Sequence, residues 1–348
     1  MSFKLSLQQE KIQKFQTLTT IDAHTEGEPL RIILDGYPEV QGDTILAKRR
    51  HLQSELDHLR QVLMYEPRGH ADMYGALLTE PTTEGSDFGI LFMHNEGYSS
   101  MCGHGIIAAV TMAAEYANLE VANGSKRTIG IDAPAGKITA YAERDDQGEL
   151  GVSFDNVESF VEVCDCRVQV PGFGEVTYDI AYGGAYYAYV DADAIDVACS
   201  PDNAEQLIQL GRSIKHAVMA DYPLKHPTEE DLGFLYGTIF TSRKTDEEHS
   251  HSRHVCIFAD GEVDRSPTGT GVSARIALLH HRGEVSPGQR INIESIIGSA
   301  MQVEIAEELD FEGKAAVIPR VFGTAFITGV NQFLVDQDDP LKHGFLIR

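Results

Sequence analysis

Two segments of this chain, 166 residues apart (254 − 88), have similar sequences. Each segment reads as a short apolar strand, a turn, a loop of small residues and an apolar helix. Met-Cys-Gly-His-Gly-Ile-Ile-Ala at 101–108 aligns with Pro-Thr-Gly-Thr-Gly-Val-Ser-Ala at 267–274. The two glycines of each loop coincide, and Cys102 stands opposite Thr268. The repeat therefore predicts two similar domains related by a pseudo-twofold axis.

The repeated loops are suited to binding a small anion. A pseudo-twofold axis would make the N-termini of the two helices face each other across a cleft. A helix N-terminus presents unpaired N–H groups and the positive end of the helix dipole, and glycine lets the backbone approach a ligand closely. Two such ends form a carboxylate site. We expect Cys102 at this position to have a stabilised thiolate and a lowered pKa.

The same features also have a purely structural interpretation. A Gly-x-Gly sequence between a strand and a helix is usually a turn, and a single cysteine usually packs in a core. The matched glycines of both loops, with the Asp264-Arg-Ser-Pro267 segment that leads into the second loop, favour a functional interpretation.

Length and charge restrict the class of protein. The chain has 348 residues, which suits two domains of ordinary size. Its 53 acidic residues outnumber its 28 basic ones, so nucleic acid and anionic membranes are unfavourable partners. The N-terminal segment 1–16 has no apolar core typical of a signal peptide, and no apolar run approaches a membrane span. Five irregularly spaced cysteines do not indicate a disulfide framework, so we expect a reducing, cytoplasmic location.

The hydrophobic pattern predicts an α/β (α+β) chain in which strands outnumber helices. Leucines at i, i+4, i+7 and i+11, from Leu52 to Leu63, indicate one buried helix face. We expect surface loops at 226–232 and 243–253. The predicted helices are 44–65, 105–116, 207–218 and 272–280. The predicted strands are 88–93, 128–133, 137–143, 150–155, 160–170, 236–241 and 255–259.

Two further clusters have alternative interpretations. The tract His249-Ser-His-Ser-Arg-His254 suggests metal binding, but its spacing is not that of a zinc site, and a solvated loop is favoured. Cys164 and Cys166 alternate along a predicted strand and share one face, where packing or exposure is favoured over a metal clip. We therefore predict no metal site. His24, in an N-terminal motif, remains unassigned.

Several motifs resemble signatures of the proline racemase family, and the resemblance runs from about Thr17 to the C-terminus. They are Asp22-Ala-His-Thr-Glu-Gly-Glu-Pro-Leu30, Met101-Cys-Gly-His104, Gly183-Gly-Ala-Tyr-Tyr187, Asp264-Arg-Ser-Pro-Thr-Gly-Thr-Gly271 and Asp338-Asp-Pro-Leu341 followed by Gly344-Phe345.

The resemblance implies a diaminopimelate-epimerase-like fold of two mixed α/β domains. Each domain has a curved sheet around a central helix, and the site lies between them. We expect residues 17–165 plus 328–348 to form the first domain, carrying Cys102, and residues 166–327 to form the second, carrying Thr268. The resemblance also implies a homodimer and no metal, flavin or pyridoxal cofactor.

One position departs from the two-base members of this family, in which both matched residues are cysteines. Here the second residue is Thr268, whose hydroxyl cannot act as an unassisted base at neutral pH. The Cys–Thr pair matches the subgroup of trans-3-hydroxy-L-proline dehydratases. Their product is pyrroline-2-carboxylate, formed with loss of water.

The resemblance also implies substrate-binding roles. Backbone N–H groups at Gly103–His104 and Gly269–Thr270 are expected to hold the hydroxyproline carboxylate, and Asp264 is expected to bind the ring ammonium. The role of the His104 ring is left open.

Stereochemistry adds a constraint on the mechanism. In trans-3-hydroxy-L-proline the hydroxyl lies opposite the carboxylate, on the same ring face as the Cα–H. Cys102 is therefore expected to remove that proton and, as a thiol, to help protonate the departing hydroxide. Thr268 would lie at the opposite face and hold or exclude water.

Two alternatives stay open. One is a proline racemase or hydroxyproline 2-epimerase whose second acid is water or Thr268. The other is a non-catalytic amino-acid-binding protein, which the retained Cys102 disfavours.

Overall fold

The chain folds into a mixed α/β structure in which strands greatly outnumber helices, as predicted. The structure is a computed structural model that describes residues 8–347. The segment on which the signal-peptide expectation rests lies partly outside this range, as does the last residue of the predicted first domain. Within the range, seventeen strands join in one hydrogen-bonded network.

The first half contains seven strands and four helices. The strands are β1 (Gln16–Thr25), β2 (Glu28–Asp35), β3 (Tyr74–Thr79), β4 (Phe88–His94), β5 (Ser125–Ala133), β6 (Gly136–Arg144) and β7 (Leu150–Asp155). The helices are α1 (Gln9–Ile12), α2 (Ile45–Glu55), α3 (Asp57–Met64) and α4 (Gly103–Tyr116).

The second half contains the remaining strands, two longer helices and two 3-10 turns. The strands are β8 (Ser159–Val170), β9 (Gly174–Tyr182), β10 (Tyr186–Asp191), β11 (Leu235–Ser242), β12 (Ser252–Phe258), β13 (Glu262–Val263), β14 (Ile291–Glu294), β15 (Ala300–Phe311), β16 (Lys314–Gly323) and β17 (Ala325–Val335). The helices are α5 (Ala204–Asp221) and α6 (Gly269–His281), and the 3-10 turns are Pro201–Asn203 and Glu230–Leu232.

The pairing of these strands repeats from one half to the other. Neighbouring strands follow the order β17-β1-β2-β3-β4-β5-β6-β7 in one sheet and β8-β9-β10-β11-β12-β14-β15-β16 in the other. In both orders the third and fourth strands, and the fifth and sixth, pair in parallel. The other neighbours pair antiparallel. The repeat therefore extends well beyond the short segments that reveal it in the sequence.

The two sheets are connected by strands that reach from one half to the other. β16 pairs with β15 on one side and with both β7 and β8 on the other. β17 then returns the chain to the first half by pairing with β1. The division into domains at 165/166 and 327/328 remains a prediction. Both boundaries fall inside strands, the first in β8 and the second in β17.

The helices α4 and α6 occupy the centres of the two halves, because each helix carries apolar residues on all of its faces. Residues 106–110 of α4 are at most 1% exposed. α4 packs on β1, β2, β6, β7 and β17, and α6 packs on β8, β9, β15 and β16. The predicted helices at 105–116 and 272–280 are both present. They begin at the matched glycines Gly103 and Gly269, earlier than expected.

The single helix predicted at 44–65 is wrong in one respect, because the chain leaves the helical conformation at Leu56 and forms two helices. Thr44 begins α2 by accepting a hydrogen bond from the backbone N–H of Ala47. In α3, Arg60 is anchored by Asp57 and donates to the carbonyls of His94 and Asn95. This tertiary anchoring outweighs the local preference for one continuous helix.

The histidine tract also departs from expectation. β12 begins at Ser252, so the second half of the tract lies in a strand and His254 is fully buried, whereas residues 249–251 precede the strand. Its apolar neighbours Val255, Ile257 and Phe258 draw this end of the tract into the core. Within residues 8–347, no three or more His, Cys, Asp or Glu side chains are grouped to hold a metal ion. No helix in the same range is long and apolar enough to span a bilayer.

Candidate active site between two helix N-termini

The N-termini of α4 and α6 touch each other through glycine. A Cβ atom built on Gly103 would lie 2.6 Å from the Cα of Gly269, and a Cβ on Gly269 would lie equally close to the Cα of Gly103. Real Cβ atoms do not approach backbone this closely. Only glycine at both positions lets the two positive helix ends converge on one point.

A small cavity lies at this meeting point, and every site residue predicted from the sequence lines it. These residues are Cys102, Gly103, His104, Asp264, Thr268, Gly269 and Thr270. The structure adds Met101 and a wall of aromatic side chains, namely Tyr74, Tyr187, Tyr236 and Phe258. The free volume is about 20 Å³, which holds about one water molecule.

Cys102 is the N-cap residue of α4, and its sulfur is held by its own helix. The Sγ atom accepts a hydrogen bond from the backbone N–H of Gly105 at 3.2 Å. It also lies 3.2 Å from Nδ1 of His104. The thiol is therefore fixed at the cavity wall.

The expected lowering of the Cys102 pKa is wrong. Burial raises the pKa of the Cys102 thiol well above its ordinary value, and the negative charges of Asp264 and Glu28 raise it further. The N–H of Gly105 and the hydroxyl of Tyr74 oppose this effect. Burial also lowers the pKa of His104, so its imidazole is neutral. Burial away from water therefore has a larger effect on the pKa of this thiol than the positive end of the helix.

Thr268 occupies the matched position on α6 but has a different backbone conformation. Its φ is +70°, whereas that of Cys102 is −147°. A positive φ is strained for a β-branched residue, and such strain is concentrated at functional sites. Among the described residues, the Thr268 Oγ1 atom has no hydrogen-bond partner, although it is buried. The hydroxyl lies close enough to Cys256 to oppose the rise in the pKa of that thiol, and its residue lines the cavity.

Acidic residues lie next to the helix ends. Asp264 is buried, and its Oδ1 atom accepts a hydrogen bond from the backbone N–H of Ser266 at 2.8 Å. Glu28 is fully buried and accepts from the backbone N–H of Arg265 at 2.7 Å. Burial, and then the charge of Asp264, raise the pKa of Glu28 well above its ordinary value. Glu28 thus holds its proton more tightly than an exposed glutamate does.

The aromatic wall was not predicted from the sequence. Tyr187 belongs to a family-like motif but had no assigned role; its hydroxyl lies 2.7 Å from Oγ1 of Thr270. Tyr74 and Tyr236 have hydroxyls 3.4 Å apart. Each precedes a glycine, in Tyr74-Gly75 and Tyr236-Gly237. This second repeat, at an offset of 162 residues (236 − 74), is the signal that could have identified them.

The sequence model of the proline racemase family matches residues 20–346. The chain belongs to the proline racemase family. Among its relatives is a trans-3-hydroxy-L-proline dehydratase from Colwellia psychrerythraea, 47% identical over 98% of this chain and 96% of the relative. Another is a 3-hydroxyproline 2-epimerase from Burkholderia multivorans, 44% identical over 96% of this chain and 99% of the relative.

A solved structure of this family confirms the fold. The crystal structure of a hydroxyproline epimerase from Agrobacterium vitis, with bound trans-4-hydroxy-L-proline, is 30% identical to this chain and superimposes with a TM-score of 0.88. The match covers 95% of each chain. The diaminopimelate-epimerase-like architecture expected from the sequence motifs is therefore present over nearly the whole molecule.

Proposed function

We propose that this protein is a hydro-lyase that converts trans-3-hydroxy-L-proline to pyrroline-2-carboxylate and water, with Cys102 as its single base. The observation that carries the proposal is the asymmetry of the two helix ends, with a thiol on one and an unpartnered threonine hydroxyl on the other. The dehydratase relative supports the same reaction.

In this proposal the two helix ends hold the substrate carboxylate. The backbone N–H groups of Gly103 and His104 approach it from α4, and those of Gly269 and Thr270 approach it from α6. The convergence of both positive helix ends at the glycine contact supports this arrangement. The mechanism requires no cofactor, because its steps use only side chains and backbone groups of the chain.

Asp264 binds the ring ammonium, and this contact also prepares the base. The charge of Asp264 raises the pKa of Cys102, although less than burial does. The substrate ammonium neutralises that charge and adds a positive charge of its own. We therefore infer that substrate binding lowers the pKa of the thiol, so that the thiolate forms where it is needed.

The thiolate then removes the Cα proton, and the 3-hydroxyl leaves from the same ring face. The electron pair of the Cα–H bond becomes the ring double bond, and the enamine tautomerises to the cyclic imine. Thr268 remains neutral at the opposite face, where its free hydroxyl binds water or the ring. A reaction confined to one face needs only one ionisable base.

Cys102→Ser tests the assignment of the base. A serine hydroxyl has too high a pKa to replace the thiolate, so we expect dehydration to fall by at least about 100-fold. The measurement is absorbance of the pyrroline product, with calorimetric binding of pyrrole-2-carboxylate as a check on the site. Cys166→Ser, which changes a partly exposed cysteine outside the cavity, is the matched control. Appreciable dehydration by the Cys102 variant would exclude Cys102 as the base.

The epimerase relative makes the competing function concrete. Chiral chromatography of hydroxyproline and proline isomers incubated with the wild type separates the two activities. Interconversion at C2 as fast as dehydration would mean that Thr268 or water acts as a second base. We expect negligible interconversion in the wild type and a gain of it in Thr268→Cys, with Thr268→Ser as the control. Binding without any turnover would instead indicate an amino-acid-binding protein.

A homodimer and a cytoplasmic location remain predictions, as does the absence of nucleic-acid or membrane partners.

A further inference from the structure

The proposed reaction needs a proton donor for the departing 3-hydroxyl group, and Tyr74 is a cavity residue with a suitable hydroxyl. Its side chain is buried on β3, and its ring packs edge-on against His104, with centroids 4.9 Å apart. His104 in turn lies 3.2 Å from the Cys102 sulfur. The Tyr74 hydroxyl therefore belongs to the same wall as the thiol that removes the Cα proton.

The hydroxyl of Tyr74 has two hydroxyl neighbours. It lies 2.5 Å from Oγ of Ser99 and 3.4 Å from the hydroxyl of Tyr236. Ser99 is buried as well. When Ser99 donates to the Tyr74 oxygen, the phenol proton is free to be donated into the cavity.

Tyr74 is a proton donor at neutral pH. Burial raises its pKa well above the ordinary value for tyrosine, and the neighbouring Cys102 raises it further. The Tyr74 hydroxyl also opposes the rise in the pKa of Cys102, and both side chains line the same cavity. Tyr74 is thus a neutral phenol in the wall of the cavity that Cys102 also lines.

Resting on the function proposed above, we propose that the Tyr74 hydroxyl protonates the departing 3-hydroxyl group and relays to it the proton that Cys102 removes. Cys102 forms an S–H bond with the Cα proton, while the C3–O bond breaks and its electron pair leaves with the oxygen. The Tyr74 proton passes to that oxygen to form water. The S–H proton then passes to the Tyr74 oxygen, which restores phenol and thiolate without a further reactant.

Tyr74→Phe tests this role with two leaving groups. On trans-3-hydroxy-L-proline the variant lacks the acid, so we expect kcat to fall by about 100-fold or more. On trans-3-chloro-L-proline chloride leaves without a proton, so we expect kcat to stay within about threefold of the wild type, because this step no longer needs general acid catalysis. The signature is this difference between substrates, which a loss of packing or of thiol reactivity would not produce.

Tyr236→Phe is the matched control, because Tyr236 corresponds to Tyr74 in the internal repeat and its hydroxyl lines the same cavity. It is expected to change the two substrates to the same degree. Ser99→Ala is a second variant, which removes the group that orients the Tyr74 proton and should reduce turnover of the hydroxy substrate selectively. Calorimetric binding of pyrrole-2-carboxylate verifies that each variant retains its site.

The outcomes separate this inference from the proposed function. If the wild type does not dehydrate trans-3-hydroxy-L-proline, both are wrong. If the wild type does so but Tyr74→Phe is equally active, or loses both substrates to the same extent, the relay through Tyr74 is wrong while the dehydratase function stands. A selective loss on the hydroxy substrate in Tyr74→Phe supports the relay.

Discussion

At the residue scale, the contact between Gly103 and Gly269 constrains the geometry of the site. Each glycine is the first residue of a buried helix, so neither can move without displacing the helix behind it. Cys102 and Thr268 immediately precede these glycines. The distance between the base and the opposing hydroxyl is therefore set by a contact that involves no side chain.

Gly103→Ala should part the two helix ends. The new Cβ would meet the Cα of Gly269 at 2.6 Å, and overpacking of this kind costs about 1–3 kcal/mol. We expect a lower thermal midpoint and weaker binding of pyrrole-2-carboxylate, because the displaced helix ends no longer converge on its carboxylate. Gly151→Ala is the control, because its nearest neighbour lies at an ordinary 3.7 Å. Equal behaviour of the two variants in calorimetry and thermal unfolding would contradict this interpretation.

At the scale of elements, Glu294 at the end of β14 pins the loop that precedes β12. The carboxylate is fully buried and accepts hydrogen bonds from the backbone N–H groups of Asp246 and Glu247, at 2.9 and 2.8 Å. Arg253 donates to it at 2.7 Å. Burial alone would raise the pKa of Glu294, but these donors hold it at about 2.

This carboxylate should make the protein sensitive to acid. Because its pKa is lowered on folding, its contribution to stability is complete above the ordinary value of 4.5 and is lost as the pH falls toward 2. A shift of this size corresponds to a contribution on the order of 3 kcal/mol. Glu294→Gln should be less stable than the wild type at pH 7, with a difference that shrinks between pH 4.5 and 2. Thermal unfolding at several pH values measures it; a constant difference would refute the assignment.

Periodicity and repetition in the sequence identify some elements and miss others for physical reasons. The helices α4 and α6 are apolar nearly all round, and the repeat locates their N-termini with Cys102 and Thr268. Each predicted strand overlaps an observed one. Long hairpins such as β15–β16 were not predicted, because their exposed faces are charged and their pairing is tertiary. Tyr74 was missed because a tyrosine at the start of a strand is usually a core residue. Its contacts with Ser99 and Tyr236 are tertiary and cannot be read from the sequence.

At the scale of the whole molecule, the site is narrow. Its free volume holds about one water molecule, so we expect a proline-sized ring to enter only when the two halves move apart. Ion pairs join the halves, including Arg265 with Asp72 at 2.9 Å and the exposed pair of Arg50 with Asp231 at 2.8 Å. We therefore expect each turnover to include an opening step, as is common for enzymes with buried sites.

The burial of Cys102 predicts a distinct labelling pattern with iodoacetamide. Cys102 should react slowly, because it is buried and its raised pKa keeps it protonated, and inactivation should follow its modification. Pyrrole-2-carboxylate, a flat anion that occupies the site, should protect it. The more exposed Cys164 and Cys166 should be labelled regardless of the ligand. Mass spectrometry of labelled peptides measures the rates. Inactivation that follows Cys164 or Cys166 instead would contradict the assignment.

The return of β17 to β1 has a consequence for how the molecule is made. β17 pairs with β1 along its length, from Gln16 opposite Val335 to Thr25 opposite Ala325. During synthesis at about 5–20 residues per second, β8 to β16 emerge as one uninterrupted run and complete their sheet with neighbours already present. The outer edge of β1, by contrast, stays unpaired until the last strand is translated, and an open edge invites pairing between nascent chains. The half that carries Cys102 is thus the first to be synthesised and the last to be finished.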